Sequence, residues 1–511
     1  MDTQLLLSAL DNLFTWEVML AITAGVVGGI IIGALPGLSG TMGIALLIPI
    51  TFGMDAVAGL SMLAAIYAAA TYGGSVSAIL INTPGTPAAA ATALDGYQLT
   101  LQGKGAKALA VSAIASMVGG LVSAFALLLL APPLAQVSLA FSAPEYFLIA
   151  VFGLLIIGSL AAGSLLKGFA AGTLGLLVAT IGIDILTGFP RFTFGTTALQ
   201  SGIELVPALI GLFSLSQVLV LAEGRGGGGT AMAHALKGRA LPTLRELKRI
   251  TATIARSSGI GVFVGVLPGA GGDIGSWIGY NEAKRFSKGA DREEFGKGSL
   301  KGVAAAEAAN NAVTGGAMVP MLTLGIPGSS ATAVIMGGLL IHGMQPGGRL
   351  FTEQADTTYA IMLGFLLANV LMGVLAIAGA RYFVLATRVP MKVLVPIIVA
   401  LCVVGTYAVN NSMADVWVMI VFGVIGYLLR KVGVPPAPIV LGLILGALAE
   451  KGLRQSFVMA QGDLIGYYLS RPLSVVLLLL IVLSLAAPPL AARMRRRMAA
   501  QAATAKERED A

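Results

Sequence analysis

Charge is what this chain most lacks. Asp, Glu, Lys and Arg together make up 11 % of its 511 residues, against about 25 % in soluble globular domains. That scarcity excludes an ordinary water-soluble fold. A single cysteine, Cys402, excludes an intrachain disulfide and a cysteine-built metal cluster; it is expected to pack as a small apolar residue. The two histidines, His234 and His342, have no partner spaced for metal binding. G-x-x-x-x-G-K-[ST] is absent, so the chain does not bind ATP through a P-loop, and neither a nucleophile elbow nor HExxH occurs. Gly224 to Gly229 formally fits G-x-G-x-x-G but follows no strand, and reads as a flexible linker. The first 17 residues carry Asp2, Asp11 and Glu17 and no lysine or arginine, whereas a signal peptide begins basic. No cleavable leader is expected. Nothing alternates in the ten-residue manner of a membrane barrel.

Apolar residues, in contrast, make up 57 % of the chain, and the mean hydropathy is +0.89. Windows such as Val111–Ala131, Tyr146–Ala162 and Val475–Ala487 hold no charged side chain, and several reach the ~20 residues that span hydrocarbon. The expected fold is an all-α polytopic membrane protein in a lipid bilayer. The formal charge of +8 sits in short loops between spans, so it is read as a topology signal rather than as a nucleic-acid surface.

Glycine and proline punctuate the apolar runs twice over. Gly33 to Gly43 reads GALPGLSGTMG, and Gly265 to Gly275 reads GVLPGAGGDIG. Each is followed by a second break, NTPGTP at Asn82–Pro87 and GIPGSS at Gly325–Ser330. Pro36 and Pro268 lie 232 positions apart, Pro84 and Pro327 243. Two landmarks recurring in the same order at nearly the same offset indicate an internal duplication. Interrupted helices in corresponding positions of two halves point to a transporter's binding site. We therefore divide the chain into a first transmembrane repeat (1–222), a basic linker (223–256), a second repeat (257–490) and a charged tail (491–511). About twelve full spans are expected, plus shorter broken pieces or re-entrant hairpins. Trp16–Ala34, Thr41–Phe52 and Ala56–Ile81 open the first half; a small-residue helix (Ala88–Leu94) and a turn through Asp95–Gly105 follow. In the second half Leu244–Arg256 reads as a surface helix, and Ser258–Leu267, Asp273–Phe286, Lys301–Leu324 and Ala331–Ile341 repeat the plan.

Loop charge orients the halves. Cytoplasmic loops collect Lys and Arg. After the first interrupted pair, half one has only Gly53-Met54-Asp55, whereas half two has six Lys/Arg from Lys284 to Lys301. After the second break the order swaps, with Lys104 and Lys107 in half one against Arg349, Glu353 and Asp356 in half two. Equivalent loops thus prefer opposite faces, as inverted-topology repeats require. The linker and tail are expected inside and the acidic N-terminus outside.

Broken helices at membrane depth survive only when buried in protein or lining a wet cavity. Each break frees helix N-terminal N–H groups that favour an anion and carbonyls that favour a cation such as Na⁺. The candidate substrate and ion site is therefore Pro36, Gly37, Ser39, Gly40 and Thr41; Asn82, Thr83, Pro84, Gly85 and Thr86; Pro268, Gly269, Gly271, Gly272 and Asp273; and Pro327, Gly328, Ser329 and Ser330. Asn310 and Asn311 add amides inside an apolar helix, with Glu307 one turn away. Asp273 and Glu307 are candidate ion or proton residues, as intramembrane acids generally are; Asp184, Glu145 and Glu204 fall near span ends. For any single glycine or serine, tight helix packing explains the residue equally well. No catalytic group, cofactor or resident metal is expected, beyond a coupling Na⁺ or H⁺. A channel or lipid-moving protein could use the same breaks as a pore lining, and an intramembrane enzyme lacks any catalytic constellation.

Two stretches of the first half, Gly33–Asp55 (GALPGLSGTMGIALLIPITFGMD) and Ala65–Leu99 (AIYAAATYGGSVSAILINTPGTPAAAATALDGYQL), resemble the large permease subunit of tripartite tricarboxylate transporters, the TctA family. Gly265–Tyr280 and Glu307–Gly347 resemble that family's second half, and the likeness covers residues 10–490. The resemblance implies a permease of the bacterial inner membrane, working with a small four-helix membrane subunit. It implies a periplasmic solute-binding protein that delivers a carboxylate such as citrate, and secondary uptake driven by Na⁺ or H⁺ with no ATPase on this chain. Which carboxylate is carried does not follow, since the capturing protein sets much of the selectivity.

Overall fold

The computed structural model describes residues 3–160, 165–184, 187–223, 241–267, 271–386 and 389–485. They form an all-α bundle with one two-stranded hairpin, β1 (Gly182–Ile183) and β2 (Pro190–Arg191). Helices α1 (Thr3–Leu13), α2 (Trp16–Ala34), α3 (Gly40–Thr51), α4 (Ala56–Ile81), α5 (Ala89–Leu101) and α6 (Gly105–Leu139) build the first half's core. Helices α7 (Ala143–Leu160), α8 (Leu165–Ala179) and α9 (Leu205–Glu223) follow, the last with a π-helical turn at Ile210–Leu215. The second half opens with α10 (Leu244–Val266), α11 (Gly271–Phe286), α12 (Leu300–Leu324), α13 (Ser330–Ile341) and α14 (Ala355–Ala386). It ends with α15 (Met391–Asn410), α16 (Met413–Lys431), α17 (Ala437–Ala460), α18 (Leu464–Leu469) and α19 (Pro472–Leu485). Among the described residues, seven helices are long and apolar enough to cross a membrane, and five shorter apolar helices accompany them.

Proline chemistry sets the breaks. The residue before a proline is pushed out of the helical region by the ring. Leu35, before Pro36, stops α2 at φ −77°, ψ 119°. Leu267, before Pro268, stops α10 at nearly the same angles, −75° and 115°. α4 ends on a left-handed Asn82 (φ 53°) and α12 on a left-handed Gly325 (φ 70°). The two halves therefore break their helices by the same two devices in the same order.

Packing repeats with the sequence. A Cβ on Gly29 would stand 2.9 Å from the Ile66 carbonyl, and one on Gly33 2.3 Å from that of Ala70. In half two, Gly261 and Gly265 approach the Ala309 and Val313 carbonyls equally closely (2.3 and 2.6 Å). Contacts that advance together along both helices mean that α2 runs parallel to α4, and α10 parallel to α12. Each parallel pair is possible only because the intervening piece, α3 or α11, turns back as a hairpin. Small residues at the crossing let the backbones touch, the usual basis of helix association in lipid.

The loops pair crosswise. Gln102 Nε2 donates to the Lys297 carbonyl (2.7 Å), which joins the α5–α6 loop to the segment before α12. His342 Nε2 lies 3.4 Å from Thr51 Oγ1, which joins the end of α13 to the end of α3. One face thus carries the loop after half one's second break and the loop after half two's first hairpin, together with Lys104, Lys107 and Lys297. The opposite face carries the converse pair. We call the first the basic face.

Two expected boundaries shift. The turn placed at Asp95–Gly105 is helical to Leu101, because Asp95 is drawn into the core by partners on the second half. The surface helix and the span expected at Leu244–Arg256 and Ser258–Leu267 form one continuous helix, started by a capping box between Thr243 and Glu246. Glu145, placed by sequence near a span end, is fully buried and held by Arg471 Nε (2.7 Å), Ser474 Oγ (2.5 Å) and the Ser142 N–H (2.8 Å).

On the basic face the Lys107 ammonium (2.7 Å) and the Thr243 N–H (2.7 Å) hold the Glu246 carboxyl down at about 2. Its folded value lies below the unfolded one of ~4.3, so the stabilisation is present above that value and is lost as pH falls toward 2. Amides of the first turn of α10 are expected to lose hydrogen-exchange protection across that window, and Lys107→Met to move the loss to higher pH. Protection that does not change between pH ~5 and ~2 would contradict the pairing.

Candidate substrate and ion site

The breaks place hydroxyls and amides where apolar helices would otherwise continue. Ser39 caps α3 by accepting from the Met42 N–H (3.2 Å), and Ser329 caps α13 by accepting from the Thr332 N–H (3.2 Å). Both serines are thus engaged at helix starts, with Gly40, Thr41 and Ser330 on the first turns they cap. Thr86 plays a similar part for α5, accepting from the Ala89 N–H at 3.3 Å. Gly85 and Gly328 pack: a Cβ on either would stand 2.6 and 2.9 Å from the carbonyls of Gly33 and Gly265. Pro36 and Gly37 form the tip of the first hairpin, where the Gly37 carbonyl accepts from Gln217 Nε2 at 2.7 Å. Pro268 and Gly269, at the matching tip, lie outside the described residues.

Exposure separates the second breaks. Asn82, Thr83 and Pro84 are exposed, whereas Pro327, Gly328 and Ser329 are buried. Gly271 opens α11 with a left-handed φ of 58°, and Asp273 on its first turn is exposed.

Several of these groups converge on the seam between the halves. The Tyr67 hydroxyl, on α4, lies 3.0 Å from Ser329 Oγ of the opposite half. Asp273 takes a hydrogen bond from the Ala88 N–H, which ties the start of α11 to the approach to α5. A Cβ on Gly272 would stand 2.7 Å from Asn310 Oδ1 and 3.7 Å from the Ala88 Cβ. Asn310 itself is 2 % exposed, and its Nδ2 has no hydrogen-bond partner among the described residues. Ser276 Oγ, one turn along α11, is also buried without a partner. A buried donor left unpaired costs about 1–3 kcal/mol. Asn311 is turned away: its Nδ2 is directed at Met372 Sδ of α14, at 3.9 Å.

One turn from Asn310 toward the basic face, Glu307 is fully buried. Four hydroxyls of the first half donate to it. Ser75 and Thr92 (2.5 Å) reach Oε1, and Ser112 (3.0 Å) and Ser116 (2.9 Å) reach Oε2. They come from α4, α5 and α6. Nearer the same face, Asp95 is also fully buried. Its Oδ1 accepts from the backbone N–H groups of Gly296, Gly298 and Ser299 (2.8, 2.9 and 2.8 Å), and its Oδ2 from the Tyr280 hydroxyl (2.9 Å). Half one thus holds the start of α12 through one carboxylate.

The chain's relatives can now be placed beside this geometry. The model of the tripartite tricarboxylate transporter TctA family matches residues 19–441. The chain belongs to the TctA family. It is 38 % identical over 453 residues to an Agrobacterium vitis protein described as an uncharacterized 52.8 kDa protein in the TAR-I ttuC' 3' region, with 89 % of each chain covered. A second Agrobacterium vitis protein, described as uncharacterized in the TAR-II ttuC' 3' region, is 36 % identical over 217 residues. That stretch is 42 % of this chain and 88 % of the relative. No solved structure matches the chain.

In this TctA-family chain the helix breaks themselves are legible from sequence, and Glu307 stands out there as an intramembrane acid. Its hydroxyl cradle is not legible, and Asp95 was missed as part of a turn. The available signal was the i, i+3 pair Thr92/Asp95 with the i, i+4 pair Ser112/Ser116, polar residues on otherwise apolar helix faces. Asp95→Ala would strand three backbone N–H groups and a phenol. It is expected to destabilise the purified protein by about 3 kcal/mol or more, read as a lower unfolding midpoint; an unchanged midpoint would show the loop holding α12 without it.

Proposed function

We propose that this chain is the permease of a cation-coupled carboxylate importer that depends on a binding protein. It takes a small organic anion from a periplasmic solute-binding protein and works beside a small four-helix membrane subunit. Membership of a tricarboxylate transporter family supports the substrate class. One observation supports the place: the unpaired Asn310 amide, buried in the seam where α11, α12 and the approach to α5 meet. Around it the starts of α5 and α11 add backbone N–H groups and the positive ends of helix dipoles, the local field an anion prefers. Gly272, Asp273 and Ser329 stand at the same seam and form the site's wall. The exposed Asn82, Thr83 and Pro84 are its approach.

On this reading the two repeats are residues 1–222 and 257–490, joined by a basic linker at 223–256 and followed by the tail at 491–511. Crosswise loop pairing supports the inverted arrangement, and the lysines of the basic face support a cytoplasmic assignment for it. The N-terminus is then periplasmic in a bacterial inner membrane. Uptake draws on a Na⁺ or H⁺ gradient.

Vesicles carrying the permease and its small membrane partner test this directly. Uptake is expected to require both an imposed ion gradient and the loaded periplasmic protein. Flux that persists without either would replace the importer with a channel.

A further inference from the structure

Two buried carboxylates lie close together on the basic side of Asn310, and their donors differ in kind. Asp95 is bound mainly by backbone N–H groups, which can only donate. Glu307 is bound by hydroxyls alone. A hydroxyl rotor donates to a carboxylate and, turned over, accepts from a carboxylic acid. The cradle satisfies either charge state.

No cation shares the charge of Glu307. Among the described residues, no lysine, arginine or histidine bonds to it. The groups that face it are Tyr72 and Ser75 from α4, Thr92 from α5 with Asp95 three residues on, and Ser112 and Ser116 from α6. On α12 itself Asn310 and Asn311 do not titrate, and Lys301 near the helix start is engaged by Asp291 (2.5 Å). α10 packs on α12 through Gly261 and Gly265; its Arg249 is paired with Asp291 and Glu294, and its Arg256 lies over the Phe286 ring. On α11, Tyr280 is engaged by Asp95. A fully buried charge held only by neutral dipoles is costly, and each hydroxyl already touches the carboxylate directly. A bound sodium ion would need those oxygens ranged around it instead.

We propose that Glu307 is the proton-exchanging carboxylate of this transporter, an assignment that rests on the carboxylate-importer reading above. A proton from water forms an O–H bond on one carboxylate oxygen, and one cradle hydroxyl turns from donor to acceptor; deprotonation reverses both changes. Every hydroxyl in the cradle belongs to the first half and the carboxylate to the second. Charge-assisted bonds are roughly twice as strong as neutral ones, so protonation loosens the seam between the halves and deprotonation tightens it. That links proton occupancy to the relative freedom of the two repeats.

Infrared difference spectroscopy of the full chain in lipid nanodiscs, with no carboxylate substrate present, tests the assignment. A carboxylic-acid carbonyl band is expected to grow in as pH is lowered, to be missing in Glu307→Gln, and to be indifferent to exchanging potassium for sodium. Should Glu307→Gln not fold, Ser116→Ala supplies the assignment, since losing one cradle hydroxyl is expected to move the band's frequency. No acid band on acidification, a band unmoved by both variants, or a band that sodium but not potassium abolishes would overturn the proposal. The spectrum involves no transport. A missing band would therefore leave carboxylate import standing, and failed import would leave the titration standing.

Discussion

Replacing Asn310 with leucine is expected to lower carboxylate uptake about ten- to a hundredfold while leaving the permease folded and no less heat-stable. The two halves of that expectation have one cause. Among the described residues Asn310 Nδ2 is buried without a partner, so removing it breaks no hydrogen bond seen there and relieves a donor that costs about 1–3 kcal/mol unpaired. On the function proposed above, a residue that contributes nothing to the resting fold is kept for a bound state. There, a hydrogen bond to a charged acceptor contributes roughly 1.5–3 kcal/mol, which sets the size of the transport loss. Asn311 is the control. Its amide is directed at Met372 on the other side of α12, so Asn311→Leu should leave uptake within about threefold. Uptake at constant gradient, with unfolding midpoints on the same preparations, decides the matter. Equal losses at 310 and 311, or a loss at 310 explained by unfolding, would remove Asn310 from the site.

Gly33→Ala and Gly265→Ala are the largest expected effects on stability. The added methyl would stand 2.3 Å from the Ala70 carbonyl in one half and 2.6 Å from the Val313 carbonyl in the other. Both obstacles are backbone, so no flexible side chain can swing aside, and the parallel helices must separate. Overpacking of this kind costs about 1–3 kcal/mol and occasionally more. The losses should add within about 0.5 kcal/mol in the double variant, because the two crossings share no contact. Gly28 has no atom within 4 Å of its would-be Cβ, and Gly28→Ala should be silent within about 0.5 kcal/mol. Unfolding midpoints in detergent provide the measurement. A silent Gly33→Ala would mean that α2 and α4 do not cross where described, and the re-entrant hairpin would go with them.

The recurrence of Leu-Pro-Gly and Pro-Gly was enough to foresee duplicated breaks, because the restriction a proline ring places on the preceding residue is local. Leu35 and Leu267 adopt matching angles for that reason. Hydrophobic length alone likewise located α2 at Trp16–Ala34 to the residue. Helix ends set by distant partners were not legible: Asp95 extends α5 because the amides of Gly296, Gly298 and Ser299 claim its carboxylate. Nor could sequence choose among the polar residues of the breaks, where Ser39 and Ser329 cap helices while Asn310 is left unpaired.

Composition and local chain stereochemistry therefore determined that this is a polytopic helical membrane protein with two sets of broken helices, since apolar length and proline geometry act within a few residues. Only the tertiary structure decided that the second half's Glu307 would be wrapped by Ser75, Thr92, Ser112 and Ser116 of the first. Those donors stand 191 to 232 positions away along the chain. They meet because the halves interlock, and a hydrogen bond depends on distance through space.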